Sequence, residues 1–524
     1  MIAVGTSLYT SGWDLVANPV TLLLILGGVS VGLAVGAIPG LTANMSVAVL
    51  APFTFTMNPT DAIAVLTGIW LGSLYGGTIP AVLINMPGTP ADLMTTLDGY
   101  PMSKRGEAGR AIGIGVISSF CGGMVAVLIL GIGGPALAGV ARQFGSIEYF
   151  AVAFLGLSVM AYVAGSSLVK GVISALLGLF VGLIGRDLLS GQARYTFDEP
   201  NLFGGVNFIA VIIGIFGMAE VLEQVYSRLH RVDPEVQEVT GIRTALRDIP
   251  PVKWVIARSS IIGTFVGILP GAGATIASVI SYGAQSRLSK KPDELGTGSP
   301  EGIAASDTAN NACSGGALMT MLTIGIPGDA LTAILLGALV VQGVQPGPLL
   351  FENDMELVSS IFISLLIANI CLLVIGLIAA RRMAKILSVP RSLLLPAVAA
   401  LSIIGTYAIN NSVYEVGIML VFAILGFVMS RVGIPKPPLV LALILGPILE
   451  TNLRRSLQIS DGNVSDWLGQ LLTSHIGLPV FLASIAMLTM PIVGGVRSMR
   501  ARRTALAAGG DVADVDPDQK ETVE

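Results

Sequence analysis

The chain alternates long apolar stretches with short polar joints. Apolar runs of spanning length recur from end to end, at residues 20–38, 111–134, 206–222, 356–380 and 476–496. A run of about 20 apolar residues crosses a bilayer as a helix. The pattern predicts an all-α polytopic membrane protein. Two runs are interrupted in an unusual way. "SVGLAVGAIPGLTAN" (30–44) breaks at Pro39-Gly40, and "GILPGAGATIASVISYGAQSRL" (267–288) breaks at Pro270-Gly271-Ala272-Gly273. Proline removes a backbone donor and glycine loosens the chain. An unpaired backbone group is costly in hydrocarbon, so such breaks persist only where protein or a polar cavity covers them.

The two interruptions are related. Gly32, Gly36, Pro39 and Gly40 match Gly263, Gly267, Pro270 and Gly271, an offset of 231 residues from Gly40 to Gly271. A second pair follows in the same order. "YGGTIPAVLINMPG" (75–88) matches "SGGALMTMLTIGIPG" (314–328), with the Pro-Gly pairs offset by 240 residues from Gly88 to Gly328. Two ordered pairs at nearly constant offset predict a duplicated core.

Charge changes the picture by orienting the halves. Only 12% of the residues are charged and 53% are hydrophobic, against about 25% charged in a soluble domain. The net charge of -4 is a small sum over separated loops. No Lys or Arg precedes Lys104, so the start is not a secretory signal and the run 20–38 is expected to stay as a membrane segment. The flanks of the first Pro-Gly element, 1–19 and 55–61, carry no basic residue. Those of the second carry Lys253, Arg258, Arg287, Lys290 and Lys291. By the positive-inside rule the first hairpin enters from outside and the second from the cytoplasm. Arg186, Arg194, Arg454 and Arg455 fit less well, since parity places them outside.

The expected organisation is an inverted-topology repeat with two re-entrant helical hairpins and two discontinuous helices. A periplasmic segment, 1–19, precedes a first repeat over 20–226, made of hairpin 20–55, broken helix 61–88 and scaffold spans 111–226. A cytoplasmic linker, 227–252, leads to a second repeat over 253–496, made of hairpin 253–287, broken helix 301–328 and scaffold spans 356–496. The basic "VRSMRARR" (496–503) lies inside, and 497–524 is a disordered cytoplasmic tail.

Inverted repeats with discontinuous helices are the signature of secondary transporters, in which freed backbone groups line a midplane site. The broken helices are expected to interrupt at "SLYGG" (73–77) and "NNACSGG" (310–316). Candidate substrate-binding residues are then Pro39, Gly40, Thr42 and Asn44 at the first tip and Pro270, Gly271, Gly273 and Thr275 at the second. Ser73, Tyr75, Gly76 and Gly77 join them from one break, and Asn310, Asn311, Ser314, Gly315 and Gly316 from the other. The competing reading is that these glycines only allow close helix packing.

Two stretches carry a family resemblance. "GIWLGSLYGGTIPAVLINMPGTPADLMTTLDGYPMSKRGEAGRA" (68–111) and "EGIAASDTANNACSGGALMTMLTIGIPGDALTAILLGALVVQGVQPGP" (301–348) resemble the signatures of the large membrane subunit of tripartite tricarboxylate transporters, the TctA type. The likeness runs over roughly residues 15–500. It implies a three-part uptake system in the bacterial inner membrane. A periplasmic solute-binding protein (TctC-type) delivers a carboxylate, a small four-span subunit (TctB-type) completes the complex, and an ion gradient drives uptake. One departure stands out: the family usually has Glu before Ala-Asn-Asn, and this chain has Asp307 in "SDTANN".

The residues are compatible with that resemblance. The candidate core offers no obvious Lys or Arg, so a di- or tricarboxylate must be held by backbone N–H groups, helix dipoles and Asn, Ser or Thr side chains. Asp307, with Asn310 and Asn311, is the candidate ion-coupling site for Na+ or H+; its competing reading is a helix-terminal or interfacial acid. Asp92, Asp98 and Asp329 follow the Pro-Gly exits and read as caps of turns or helices. Cys121, Cys313 and Cys371 lie in apolar stretches and read as packing residues. Enzyme signatures are absent: His230 and His475 have no metal-binding neighbours, and no P-loop occurs. No cofactor is expected beyond the coupling ion. The alternatives are a stand-alone ion-coupled carboxylate transporter, the permease of an ATP-driven importer, or an intramembrane enzyme. Hairpins and broken helices should form one moving unit, with Asn44, Gly77, Thr275 and Asn311 around one polar pocket.

Overall fold

The computed structural model describes residues 12–163, 167–227, 239, 241–386 and 391–489. The expectations for 1–11, for most of the linker including His230, and for the basic stretch and tail beyond 489 lie outside the described residues. Among the described residues the structure is all-α apart from a two-stranded ribbon pairing Gly185–Arg186 with Ala193–Arg194. Six of the described helices are long and apolar enough to cross a membrane. A further pair, Val464–Thr473 and Gly477–Thr489, is bent by 100° at its joint. The apolar run expected from 476 begins at that bend.

The first half opens with α1 (Pro19–Gly36), a turn, and α2 (Ala43–Leu50). Then come α3 (Pro59–Gly76), α4 (Thr78–Ile84) and α5 (Leu93–Lys104). The half continues with α6 (Ala108–Ala141), α7 (Ser146–Val163), α8 (Leu168–Gly182) and α9 (Phe208–Tyr226). The second half repeats the order. It has α10 (Ile249–Ile268), α11 (Gly273–Leu288), α12 (Pro300–Ile324) and α13 (Ala330–Val341). The half ends with α14 (Met355–Ile386), α15 (Arg391–Asn410), α16 (Val413–Val432) and α17 (Pro437–Ile459). Several starts share one local signal. Asn18-Pro19, Asn58-Pro59 and Ser299-Pro300 place a capping side chain before a proline at the first helical position.

The duplication is visible contact by contact. A Cβ added to Gly32 would lie 2.2 Å from the Ile69 carbonyl oxygen, and one added to Gly36 2.3 Å from that of Ser73. In the other half, Gly263 and Gly267 stand in the same way over the carbonyls of Ala309 and Cys313, at 2.4 and 2.2 Å. Glycine at these points lets α1 lie on α3, and α10 on α12, with backbones in direct contact. The order of the contacts shows that each pair runs parallel, so α2 and α11 are the return arms of hairpins.

The two pairs run in opposite directions. α14 has Ser359 against Gly12, ahead of α1, and Gly376 against Tyr75 near the end of α3, so it runs with α3. It passes α6 in reverse, pairing Asn369 with Gly123 and Phe362 with Gly134. α6 in turn follows α12, pairing Gly115 with Asp307 and Ala126 with Gly315. The repeat is therefore inverted. α6 and α14 lie along α12 and α3 themselves, whereas residues 111–226 and 356–496 were expected to stand apart as scaffold. Gly115, Gly122 and Gly123 allow this close approach.

Arg194 and Arg454, which the loop-charge pattern leaves on the wrong face, join a cluster with Asp187 and Glu450.

Candidate functional site

Both hairpin tips are turns between helices, as the Pro-Gly pairs require. Gly40 and Gly271 adopt φ +89° and +88°, a left-handed conformation that glycine takes without strain. The equal values at matched positions are a further mark of the duplication. The tips are held differently. Gln224 of α9 donates from Nε2 to the Gly40 carbonyl at 2.5 Å. Gly271 donates its N–H to the Gly328 carbonyl at 2.6 Å and packs on Gly156 and Met160 of α7.

The expected break at 310–316 is not where the helix ends, and that at 73–77 is only a one-residue turn at Gly77 between α3 and α4. α12 runs unbroken through Asn310-Asn311 and Gly315-Gly316. Gly77 keeps helical angles, so α3 continues into α4. The glycines there serve contact: Gly316 meets the Thr264 carbonyl on α10, and Gly315 meets Ala126 on α6. A helix packed on both sides through small residues has no reason to open. The chain breaks about ten residues later. Asn85 (φ 55°) and Gly325 (φ 80°) end the helices in left-handed caps, ahead of Pro87-Gly88 and Pro327-Gly328. These loops fold back. Gly88 reaches Gly77 and the Gly36 carbonyl, and Gly328 reaches Ala317 and the Gly267 carbonyl. Each loop then starts a helical segment with a matched capping pair. Asp92 accepts from Thr89 in the first half, and Asp329 accepts from Thr332 in the second. The capping roles expected for Asp92 and Asp329 are present.

Tips and fold-back loops together line an open cavity of about 390 Å³. Its wall includes Thr42 and Asn44 from the first hairpin and Gly271 to Ile276 from the second. Thr89, Pro90 and Ala91 come from one loop, and Asp329, Ala330 and Leu331 from the other. Leu74, Met160 and Pro437 add apolar surface. Thr42 caps α2, its Oγ accepting from Met45 N at 3.2 Å. α11 has no side-chain cap, so its first amides, from Gly273 onward, face the cavity with the positive end of the helix dipole. No Lys or Arg lines the wall.

A profile of the tripartite tricarboxylate transporter TctA family matches residues 22–441. The chain belongs to that family. Membership places it among membrane transport permeases, as a multi-pass protein. It is 36% identical over 489 residues to an uncharacterized 52.8 kDa protein in the TAR-I ttuC' 3' region of Agrobacterium vitis, covering 93% of this chain and 96% of that one. An uncharacterized protein in the TAR-II ttuC' 3' region of the same organism is 37% identical over 227 residues, covering 43% of this chain and 94% of the relative. No solved structure matches the chain.

Of the residues singled out from the sequence, Thr42, Asn44, Gly271, Gly273 and Thr275 line the cavity. Pro39, Gly40 and Pro270 shape the turns behind it. Ser73, Tyr75, Gly76, Gly77, Asn310, Asn311, Ser314, Gly315 and Gly316 do not reach it. Tyr75 donates its hydroxyl to the Ile112 carbonyl at 3.0 Å, joining α3 to α6. Asn311 donates to the Ser119 carbonyl at 2.6 Å and to Asn369 Oδ1 at 2.9 Å, joining α12 to α6 and α14. Ser73 and Ser314 bond to carbonyls of their own helices, Trp70 and Asn311. Of the four residues expected around one pocket, Asn44 and Thr275 share it, while Gly77 and Asn311 lie behind its wall. The polar cavity residues missed by sequence reading are Thr89 and Asp329. Their signal was their matched position just after each Pro-Gly pair.

Proposed function

We propose that this chain is the large permease subunit of a binding-protein-dependent secondary transporter that imports tricarboxylates or related carboxylates across the bacterial inner membrane. The observation that carries the reading is the cavity where both hairpin tips meet. Its volume suits a small organic acid. Its donors suit a carboxylate: uncapped amides of α11, the Thr275 hydroxyl and the Asn44 amide. A periplasmic solute-binding protein and a small four-span subunit are its expected partners. Uptake is driven by Na+ or H+, coupled through Asp307.

The motion we infer is elevator-like. α7 and α15 are matched scaffold helices, sharing Ala151-Val152-Ala153 and Leu157-Ser158 with Ala397-Val398-Ala399 and Leu401-Ser402. The second hairpin meets α7 at its tip, Gly271 against Met160. The first hairpin meets α15 at its return arm, Val49 and Pro52 against Gly405, which lies within one residue of the position matched to Met160. The two hairpins thus sit at different heights against equivalent helices, by about ten residues or roughly 15 Å at 1.5 Å per residue. A rigid unit of hairpins, α3, α12, α6 and α14 sliding by that amount would exchange the two arrangements.

The test is uptake into proteoliposomes holding the chain and its small partner. A panel of di- and tricarboxylates is supplied with and without binding protein, Na+ gradient, pH gradient and ATP. Gradient-driven uptake that needs the binding protein is expected. Uptake without the binding protein would favour a stand-alone carrier, and dependence on ATP would defeat the reading. Asp307→Asn should lose the gradient dependence while the protein is still made.

A further inference from the structure

Two aspartates, Asp92 and Asp307, lie fully buried behind the cavity wall, one from each half. No ion pair to either occurs among the described residues. Each has one oxygen well provided for. Asp92 Oδ2 accepts from Thr89 N at 2.8 Å and Thr89 Oγ at 2.6 Å. Asp307 Oδ1 accepts from Thr95 Oγ at 2.6 Å. The other two oxygens are not. Asp307 Oδ2 and Asp92 Oδ1 both face Thr78 Oγ, at 3.3 and 3.5 Å. A threonine hydroxyl has one proton, so it can serve only one of them. Both distances exceed the 2.5–3.0 Å usual for a hydroxyl bond to oxygen.

Asn310 supplies the second, independent observation. Its side chain is 3% exposed, and its Nδ2 stands 3.4 Å from Asp92 Oδ1. Its Oδ1 has no donor among the described residues. A half-turn of the amide exchanges the two atoms and sets Oδ1 towards Asp92. As it stands, Asn310 leaves its own Oδ1 without a donor and gives Asp92 only a long contact. With the amide turned, the one proton of Thr78 Oγ is left for Asp92 Oδ1, Asp307 Oδ2 and Asn310 Oδ1, in a place closed to water. Buried carboxylates in that state call for a cation.

We propose that Asp92 Oδ1, Asp307 Oδ2, Thr78 Oγ and Asn310 Oδ1 hold one Na+ ion between the two halves. The set is all oxygen, as a hard cation requires. Four protein oxygens fall short of the six to eight that Ca²⁺ takes, which favours a monovalent ion. The space is made by glycines. A Cβ at Gly115 would lie 2.4 Å from Asp307 Oδ2, and one at Gly77 2.0 Å from Asp92 Oδ2. Thr89 joins this site to the cavity, since it lines the wall and bonds Asp92. A carboxylate in the cavity and a cation behind its wall would stabilise each other by charge. The role as a coupling ion rests on the transport reading above, but the binding does not.

Binding is therefore tested without substrate, on the purified full chain in detergent. Its melting temperature is followed as NaCl replaces choline chloride at constant ionic strength and pH. The wild type should rise by several degrees with a saturable midpoint. Asp92→Asn and Asp307→Asn should lose the response. Thr78→Val and Asn310→Leu, milder changes that keep the carboxylates, should move the midpoint up by about tenfold or more. Wild-type midpoints in all the variants that fold would overturn the site. So would a wild type that answers to pH alone, with Na+ and choline alike, which would put a shared proton in place of the ion. Failure of carboxylate uptake with the Na+ response intact would instead count against the transport reading.

Discussion

Gly267 and Gly283 lie on the two arms of one hairpin and should respond oppositely to a methyl group. At Gly283 an added Cβ meets nothing within 4 Å. Gly283→Ala should stabilise α11 by up to about 1 kcal/mol, because alanine loses less backbone entropy in a helix. At Gly267 the Cβ would lie 2.2 Å from the Cys313 carbonyl oxygen. Gly267→Ala should destabilise by about 1–3 kcal/mol, since α10 and α12 must part. Thermal unfolding of the purified variants separates the two. The cavity gives a second prediction of this kind. Asn44 and Thr275 are partly exposed there and their side chains carry no hydrogen bond among the described residues. Asn44→Ala and Thr275→Ala should leave stability nearly unchanged and raise the carboxylate concentration for half-maximal uptake. Loss of one hydrogen bond of about 1.5 kcal/mol corresponds to roughly tenfold. Unchanged uptake in both would move the substrate elsewhere.

The hairpins are the elements on which orientation depends. α1 and α10 are parallel to α3 and α12, and the two pairs oppose each other, so the outer ends of the hairpins must open on opposite faces. Asn58 caps α3 at the open end of the first hairpin, and Ser289 closes α11 at the open end of the second. In a background with Cys121, Cys313 and Cys371 replaced, a single cysteine at 58 should react with an impermeant thiol reagent from outside. One at 289 should react only from the cytoplasmic side. Reaction of both from one side would reverse half of the fold. By the positive-inside rule, the basic residues Arg287, Lys290 and Lys291 next to Ser289 are expected to select the inner face.

At the scale of the assembly of helices, the different heights of the two hairpins make a sharper prediction. Cysteines at Pro52 and Gly405 should cross-link in the arrangement described here, and the cross-link should stop uptake while leaving substrate binding measurable. After a slide of about ten residues, the matched contacts exchange. Gly405 should then face the tip at Gly40, and Met160 should face the arm near Ile280 and Gly283. A cysteine pair at 40 and 405 should therefore cross-link only under conditions that favour the second arrangement. If the 52–405 cross-link leaves uptake untouched, the hairpins do not move against α15.

The sequence alone determined the membrane class, the duplication and the direction of its halves. These follow from signals carried by short stretches: apolar length, Pro-Gly pairs at constant offset, and basic loops. It also located both hairpin tips, because a Pro-Gly pair inside an apolar run has few other uses. The ends of α4 and α12 were decided only by tertiary contact. Gly76-Gly77 and Gly315-Gly316 look like breaks in one dimension, yet α1, α10 and α6 press on them and keep the helices closed. The same contacts turned Tyr75 and Asn311 from candidate ligands into ties between helices. Likewise Asp92 reads locally as a cap, which it is. That it also faces Asp307 across Thr78 depends on two segments more than 200 residues apart meeting, and only the packing of the two halves brings them together.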